Sequence, residues 1–251
     1  MKRFVLCLFG IFICLGAIAE TITINWLNEN KTISSTSTCT IGGDVVMPNT
    51  TPTKRGYTFR GYVDNYTPVE YIEGTGSQWI DTGYNVNQNT NIKTKVIFTV
   101  VKMAVYIFGN GSAGSKLTLV SSPKSSNIVY TFQRAGSSTL TDVNMNRDVP
   151  IEIETNKNAI AFSENGVTSG ATSGTDNVSF SGSSMYIFSA SGASNNASMK
   201  LYYFQIYNND VLVRDFIPVV DSKGTACLYD RIEHKFYYNA GSGEFNAGPS
   251  I

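Results

Sequence analysis

Residues 200–219, KLYYFQIYNNDVLVRDFIPV, decide the fold class of this chain. Two runs of aromatic and aliphatic residues, 200–207 and 211–218, flank the polar triplet Asn208-Asn209-Asp210. Such runs on either side of Asn and Asp are typical of two strands joined by a turn. This stretch therefore predicts an antiparallel strand pair.

The second predicted strand carries Arg214 next to Asp215. Adjacent residues of a strand point to opposite faces, so we do not expect these two side chains to pair with each other. We expect a structural role for the pair, with Arg214 over an aromatic ring such as that of Tyr202 or Tyr229. A binding-site arginine is the alternative.

The strand pattern extends over residues 69–248. Positions 92, 94, 96 and 98 form one face of a period-two segment, and Lys93 and Lys95 lie on the other. Segments rich in Gly, Ser and Asn separate further apolar runs, at 104–108, 116–120, 128–132, 149–154, 159–162 and 185–189. About a dozen short strands in about 180 residues, without helices, predict an all-β fold, a two-sheet antiparallel jelly-roll sandwich.

The start of the chain has the pattern of a secretion signal. Lys2 and Arg3 precede an uncharged, mostly apolar run from Phe4 to Ala19, which ends in Ala17-Ile18-Ala19. A basic start, an apolar middle and small residues before a cut site define a signal peptide, so residues 1–19 are predicted to be removed before Glu20. The run is shorter than the about 20 residues that a membrane anchor needs. We expect a secreted, cell-surface or periplasmic protein without a membrane span in the mature chain.

Charge excludes two classes of partner. The chain has 19 basic and 19 acidic residues, and residues 1–19 hold two of the basic ones and none of the acidic ones, so the mature chain has a net charge of −2. That balance gives no electrostatic footprint for nucleic acid or for anionic lipid.

Two cysteines, Cys39 and Cys227, remain in the mature chain. They lie in what we interpret as different domains. In an oxidising compartment they could form a disulfide, and the alternative is two separate buried thiols, because free cysteine packs as a small hydrophobic residue.

Residues 20–62 form a first predicted domain, a small β-grasp-like module. Thr21 to Trp26 alternate as in a strand, and residues 52–62 read PTKRGYTFRGY. This ending resembles the Listeria–Bacteroides repeat, or internalin B-repeat, with Tyr62 where Trp is usual. The resemblance implies a spacer or adhesive unit of a bacterial surface protein. Residues 63–68 are interpreted as a linker.

The second domain, 69–248, resembles the concanavalin A-like lectin/glucanase superfamily in its LamG-like form. The resemblance rests on EYIEGTGSQWIDTGY at 70–84, on residues 200–219 and on ACLYDRIEHKFYYNAGSGEF at 226–245. It implies binding of carbohydrate or protein and, in some members, catalysis. Some relatives hold Ca²⁺ at a loop rim; Asp81, Asp176 and Asp221 lie in loop-like segments, but no spacing connects them and no ligands are assigned.

Catalytic chemistry is not indicated. Jelly-roll glucanases carry Glu-x-Asp-x-x-Glu on one strand, whereas the segment that begins Glu152-Ile153-Glu154 has no Asp and has Lys157 at the last position. We interpret these glutamates as a solvated strand face. The lone histidine, His234, is expected in a turn before a strand at 235–238, and residues 109–114, GNGSAG, are interpreted as a strand-connecting loop.

These observations predict a bacterial binding or adhesion protein that is non-catalytic and takes a glycan or a surface protein as its ligand. A structural or protein-interaction module without a sugar site is the alternative, and a glycoside hydrolase is a third. Trp79 is the one candidate ligand-binding residue. It would act as a sugar platform, and the competing interpretation is a core tryptophan beside Ile80.

Overall fold

The computed structural model describes residues 21–27, 33–40, 66–100, 105–111, 117–124, 127–134, 137–145, 148–156, 159–172, 183–192 and 195–251. The chain divides into two compact units, with the boundary between Asn65 and Tyr66. This boundary lies within the linker predicted from the sequence. Within the described residues there is no helix with the length and hydropathy needed to cross a membrane.

The first unit contains an antiparallel hairpin. Strand β1 (Thr21–Leu27) pairs with β2 (Ile33–Thr40), from Thr21 opposite Thr40 to Trp26 opposite Ser35. The strand predicted at 21–26 is therefore confirmed. The repeat-like ending at 52–62 lies outside the described residues.

The second unit is a sandwich of two antiparallel sheets, as predicted. Its strands are β3 (Tyr66–Pro68), β4 (Ile72–Thr75), β5 (Ile80–Asn85), β6 (Thr90–Val100), β7 (Val105–Gly109), β8 (Leu117–Lys124), β9 (Asn127–Arg134), β10 (Ser137–Met145), β11 (Ile151–Asn156), β12 (Ala159–Glu164), β13 (Val167–Thr172), β14 (Ser184–Ile187), β15 (Ser198–Asn208), β16 (Val211–Asp221), β17 (Ala226–Asp230), β18 (Lys235–Tyr237) and β19 (Asn246–Ala247).

The smaller sheet has six strands in the order β10-β9-β8-β7-β14-β5. The larger sheet has eleven, eight of them in the order β13-β12-β11-β6-β15-β16-β17-β18. Of the other three strands, β3 pairs with β16, β4 pairs with β15, and β19 pairs with β4. Within the described strands, β5 and β18 thus lie at one end of their respective sheets.

The core lies between the two sheets. Along β6, residues 92, 94, 96 and 98 are fully buried, while Lys93 and Lys95 are partly exposed, which confirms the predicted period-two pattern. Phe204 of the larger sheet meets Phe108 of the smaller one edge to face, with ring centroids 5.7 Å apart. Each such fully buried aromatic side chain contributes about 1.5–3 kcal/mol by leaving water.

The strands β15 and β16 form the hairpin that residues 200–219 predict. Asn208 lies opposite Val211, and the two turn residues, Asn209 and Asp210, have φ angles of 48° and 61°. A two-residue turn with positive φ at both positions matches the twist of the flanking strands, and Asn and Asp tolerate that conformation well. The register shifts between Ile206 and Tyr207, so a bulge interrupts the hairpin near its turn.

The ends of the second unit extend beyond the bounds expected from the sequence. Tyr66–Pro68, which we had assigned to the linker, form β3 and pair with Val219 to Asp221 of β16. At the other end, Ser250 forms a β-bridge with Val69, and the amide of Ile251 donates to the Pro68 carbonyl at 3.2 Å. Segments this short have too few residues to show a strand period.

Candidate functional site

A cleft of about 510 Å³ lies where β5 of the smaller sheet faces β18 of the larger one. It combines aromatic rings with carboxylates, a guanidinium and an ammonium group, and its lining is Asp81, Thr82, Gly83, Arg214, Glu233, Lys235, Phe236, Tyr237 and Tyr238. The volume lies within the usual range for small-molecule sites, about 300–1,000 Å³.

The wall from β5 offers an exposed carboxylate. Ile80 and Thr82 point inward and are buried, so the alternation of the strand turns Asp81 outward. Asp81 Oδ1 accepts hydrogen bonds from the Gly83 amide, at 2.9 Å, and from the Ser184 hydroxyl. Gly83 has a φ of 64°, which glycine adopts without strain. The chain therefore holds the Asp81 carboxylate by one oxygen at the mouth of the cleft.

Arg214 lines the cleft. We give the name Arg214 clamp to Arg214 together with its ion-pair partners Asp230 and Glu233 and with Tyr237, which bonds to Glu233. Arg214 Nη1 donates to the Val213 carbonyl at 2.8 Å, its Nη2 pairs with Glu233 Oε1, and its Nε lies 3.4 Å from Asp230 Oδ2. Asp230 is fully buried, and the Arg214 side chain is 18 % exposed. The two terminal nitrogens of the guanidinium thus contact acceptors within the protein, and Nε lies within ion-pair distance of Asp230.

The aromatic ring beneath Arg214 differs from the expected ones. Its guanidinium carbon lies 5.8 Å from the centroid of Tyr84, and the expectation of Tyr202 or Tyr229 was wrong. The reason lies in the register of the hairpin, which places Arg214 opposite Ile206, a fully buried core residue. Arg214 therefore points between the sheets towards β5.

Asp215 lies on the opposite face, as predicted. Its Oδ2 accepts a hydrogen bond from Arg231 Nε at 2.8 Å, and its Oδ1 accepts one from the side-chain Nε2 of Gln205 at 3.1 Å. Arg214 and Asp215 thus find separate partners.

Strand β18 contributes Tyr237, a member of the clamp, and Lys235 to the other wall of the cleft. The Tyr237 hydroxyl donates to Glu233 Oε2 at 2.5 Å. Burial, and then this hydrogen bond, hold the pKa of Tyr237 well above its ordinary value, so the phenol stays protonated and keeps donating. Lys235 is exposed, with Nζ 5.1 Å from the Tyr237 ring centroid.

Asp221, the last residue of β16, holds the turn that follows the strand. Its carboxylate accepts from the amides of Lys223 and Thr225, at 2.9 and 2.8 Å, and from the Tyr238 hydroxyl at 3.0 Å. Burial acts to raise the pKa of Asp221, but these hydrogen bonds outweigh it and the pKa lies below its ordinary value.

The other aspartates considered for Ca²⁺ do not join Asp221. Asp81 lies in β5, and Asp176 lies outside the described residues. Within the part of the chain that the structure describes, no three His, Cys, Asp or Glu residues are grouped so that they could hold a metal ion.

Trp79 packs as a partly buried residue against the main core. Its ring meets Tyr186 edge-on at 5.4 Å, and a Cβ placed on Gly192 or Gly241 would come within 2.9 or 2.8 Å of the indole. Two glycine-containing loops thus close tightly on this ring. These contacts are those of a packing residue, and a role as a sugar platform stays a prediction.

Glu152 and Glu154 project into solvent from the same face of β11, with Ile153 buried between them, as predicted. They lie opposite Lys95 and Lys93 of β6, and Glu154 Oε2 is 3.7 Å from Lys93 Nζ. Burial, and then the two glutamate charges, raise the pKa of the neighbouring Tyr203 to about 12. Glu154 also lines a smaller hollow of about 230 Å³.

The remaining sequence candidates have structural surroundings. His234 occupies a turn before β18, as predicted, with a φ of 57° and its Nδ1 3.2 Å from the Tyr229 hydroxyl. Asn110 follows β7 and accepts from the Leu117 amide at 2.9 Å, whereas residues 112–116 lie outside the described residues. Cys227 is a buried free thiol, Cys39 lies in β2 of the first unit, and their disulfide stays a prediction.

No protein-family model matches the chain. No curated protein matches it either. Among solved structures, a Bacteroides ovatus protein to which carbohydrate binding is ascribed has a TM-score of 0.50 and 10 % identity, over 92 % of this chain and 70 % of that one. The native heptameric SAP-like pentraxin from Limulus polyphemus has a TM-score of 0.41 and 11 % identity, over 59 % of this chain and 76 % of that one.

The first of these similarities supports the two-sheet jelly-roll sandwich and extends no further than the fold. The comparisons add no support for the repeat module at the start of the chain.

Sequence reasoning singled out Asp81 and Arg214 but missed the rest of the cleft. Glu233, Lys235 and Tyr237 lie in the segment 226–245, which serves in the sequence analysis only as evidence for the family resemblance. The available signal was its mixture of tyrosines with charged residues of both signs.

Proposed function

We propose that this protein is an exported, non-catalytic carbohydrate-binding protein that takes a glycan in the cleft between β5 and β18. The observation that carries the proposal is the cleft itself, in which charged hydrogen-bonding groups converge beside the rings of Phe236, Tyr237 and Tyr238. Sugars present hydroxyl groups around an apolar ring face, so a site of this composition suits them. The role ascribed to the structurally similar Bacteroides ovatus protein agrees with this choice.

We expect the protein not to hydrolyse glycans, because of where its candidate carboxylates lie and which groups they already contact. Glycoside hydrolysis needs two carboxyl groups that act on the substrate, one as acid and one as base or nucleophile. Glu233 is occupied on both oxygens, by Arg214 and by Tyr237. Glu152 and Glu154 lie on an open strand face beside lysines.

Export is the part of the proposal that rests on the sequence alone. Residues 1–19 carry the features of a cleaved signal. Amino-terminal sequencing of the exported protein should begin at Glu20, and finding Met1 on that protein would contradict export by cleavage.

A glycan array probed with residues 20–251 tests the binding. We expect signals of weak per-site affinity, on the order of millimolar to micromolar, because sugar hydroxyls exchange water hydrogen bonds for protein ones at small net gain. Asp81→Ala should abolish the signal, and Glu152→Gln, on a distant strand face, should leave it unchanged. No signal for any glycan would favour a structural or protein-interaction role.

Reducing-end release from β-glucans, galactans and host glycans tests the non-enzymatic part. We expect none. Release that disappears in Glu152→Gln or Glu154→Gln would instead assign a glycoside hydrolase.

A further inference from the structure

We infer that the cleft selects uncharged sugars over acidic ones, an inference that rests on the proposed function. Its basis is the pairing of charges within the cleft. Four charged residues line it: Asp81, Arg214, Glu233 and Lys235.

Arg214 would be the natural receptor for a carboxylate or sulfate, because its planar fork binds such groups through two parallel hydrogen bonds. In this structure both terminal nitrogens of the guanidinium already have partners within the protein. Nη2 pairs with Glu233, Nη1 donates to the Val213 carbonyl, and Nε faces the buried Asp230. An anionic sugar would have to displace Glu233 from Nη2 and would add a third negative charge beside Arg214, next to Glu233 and Asp230.

The charge that remains does not favour an anion. The four lining charges cancel, and the buried Asp230 behind Arg214 brings the net charge of the whole group to −1. Asp81 is exposed and stands on the opposite wall from Lys235. An acidic group bound beside Lys235 lies across the cleft from this carboxylate, whose negative charge repels it.

The two walls complement a neutral polyol. Among the described residues, neither Asp81 nor Lys235 has an ion-pair partner, and Asp81 Oδ2 accepts no hydrogen bond. A sugar hydroxyl both donates and accepts, so adjacent hydroxyls of one ring can donate to Asp81 and accept from Lys235. A carboxylate can only accept hydrogen bonds, so it can bind Lys235 but cannot donate to Asp81.

Matched methyl glycosides test this inference by ligand-observed NMR titration at low salt. The pairs are methyl glucoside with methyl glucuronide and methyl galactoside with methyl galacturonide, which differ only in a carboxylate at C6. For the pair that binds, we expect the neutral sugar to bind at least about tenfold tighter.

Three substitutions test which residues produce the preference for the neutral sugar. Asp81→Asn should weaken the neutral sugar, improve the uronide and so reduce the ratio to about threefold or less. Lys235→Met should weaken both members. Glu152→Gln removes the same charge from a strand face outside the cleft and should leave the ratio unchanged.

The outcomes separate this inference from the proposed function. A uronide that binds the wild-type protein as tightly as its neutral partner overturns the selectivity and leaves glycan binding intact, as does an unchanged ratio in Asp81→Asn. If no methyl glycoside and no arrayed glycan binds, both the proposed function and the inference are rejected.

Discussion

At the scale of the residue, the sequence predicts the strand face on which Arg214 lies but not the residues that its side chain contacts. The strand alternation separates Arg214 from Asp215, and the sequence alone predicts that. The partners depend on which residues approach from other strands. Asp230 and Glu233 come from the end of the next strand and the turn after it, Tyr84 comes from the other sheet, and no strand period indicates these contacts.

The Arg214 clamp should contribute strongly to stability. Arg214→Ala leaves the fully buried Asp230 without its counter-charge, and breaking a buried pair in this way costs about 3–5 kcal/mol. Lys93→Ala, which removes an exposed pair with Glu154, should cost less than about 1 kcal/mol. Urea denaturation measures both. If Arg214→Ala kept its free energy of unfolding but lost glycan binding, Arg214 would be a ligand-binding residue.

Cys227 should make stability fall at alkaline pH. Burial, and then the nearby Asp221 charge, raise the pKa of its thiol from 9.0 to about 12. The unfolded chain releases this proton near pH 9 and the folded one holds it until about pH 12. The contribution is therefore complete below pH 9 and is lost as the pH rises towards 12, by at most about 1.4 kcal/mol per pH unit.

Denaturation of the wild type and of Cys227→Ala between pH 8 and 11 measures this effect, and the variant should show the flatter profile. The variant also leaves a small cavity, so its stability at pH 8 is the reference for its own profile. Equal slopes in both proteins would contradict the thiol as the source, and would fit a pairing of Cys227 with Cys39.

At the scale of the element, the period of the sequence predicts strands and their buried faces well. The β6 and β11 strands alternate as the residues indicate, because one face of each lies on the core. The hairpin of β15 and β16 is also predicted, since its turn residues have their own conformational preference. Strand β3 is missed, because it exists only through its pairing with the end of β16.

The turn of this hairpin provides a test in which two substitutions act in opposite directions. Asp210 has a φ of 61°, which an ordinary side chain adopts at a cost of about 1–2 kcal/mol. Asp210→Gly should raise the free energy of unfolding by a few tenths of a kcal/mol, since the strain it relieves exceeds the added flexibility of the unfolded chain. Asp210→Val should lower it by about 1 kcal/mol. Equal stabilities of the two variants would show that this turn does not hold a positive φ.

At the scale of the whole molecule, the sequence predicts the sandwich but not the cleft. Asp81, Arg214 and Glu233 are far apart along the chain and meet only because β5 and β18 lie at facing ends of their sheets. Sheet order depends on non-local pairing, for which a single sequence carries no periodic signal. The resemblance to lectin-like domains indicated a class of function, and the geometry of the folded unit was needed to place a site.

The second unit should fold by itself, and its first strand should matter. A chain of residues 66–251 retains the pairing of β3 with β16 and the ring of Tyr66 against Tyr229, with centroids 4.6 Å apart. A chain of residues 69–251 loses both. We expect the longer chain to unfold in one cooperative transition and the shorter one to be less stable by about 1–3 kcal/mol, since a strand pairing and an aromatic contact are lost. Thermal unfolding followed by near-UV circular dichroism measures the difference. Equal melting temperatures would return Tyr66–Pro68 to the linker, and a longer chain without a cooperative transition would contradict the two-unit division.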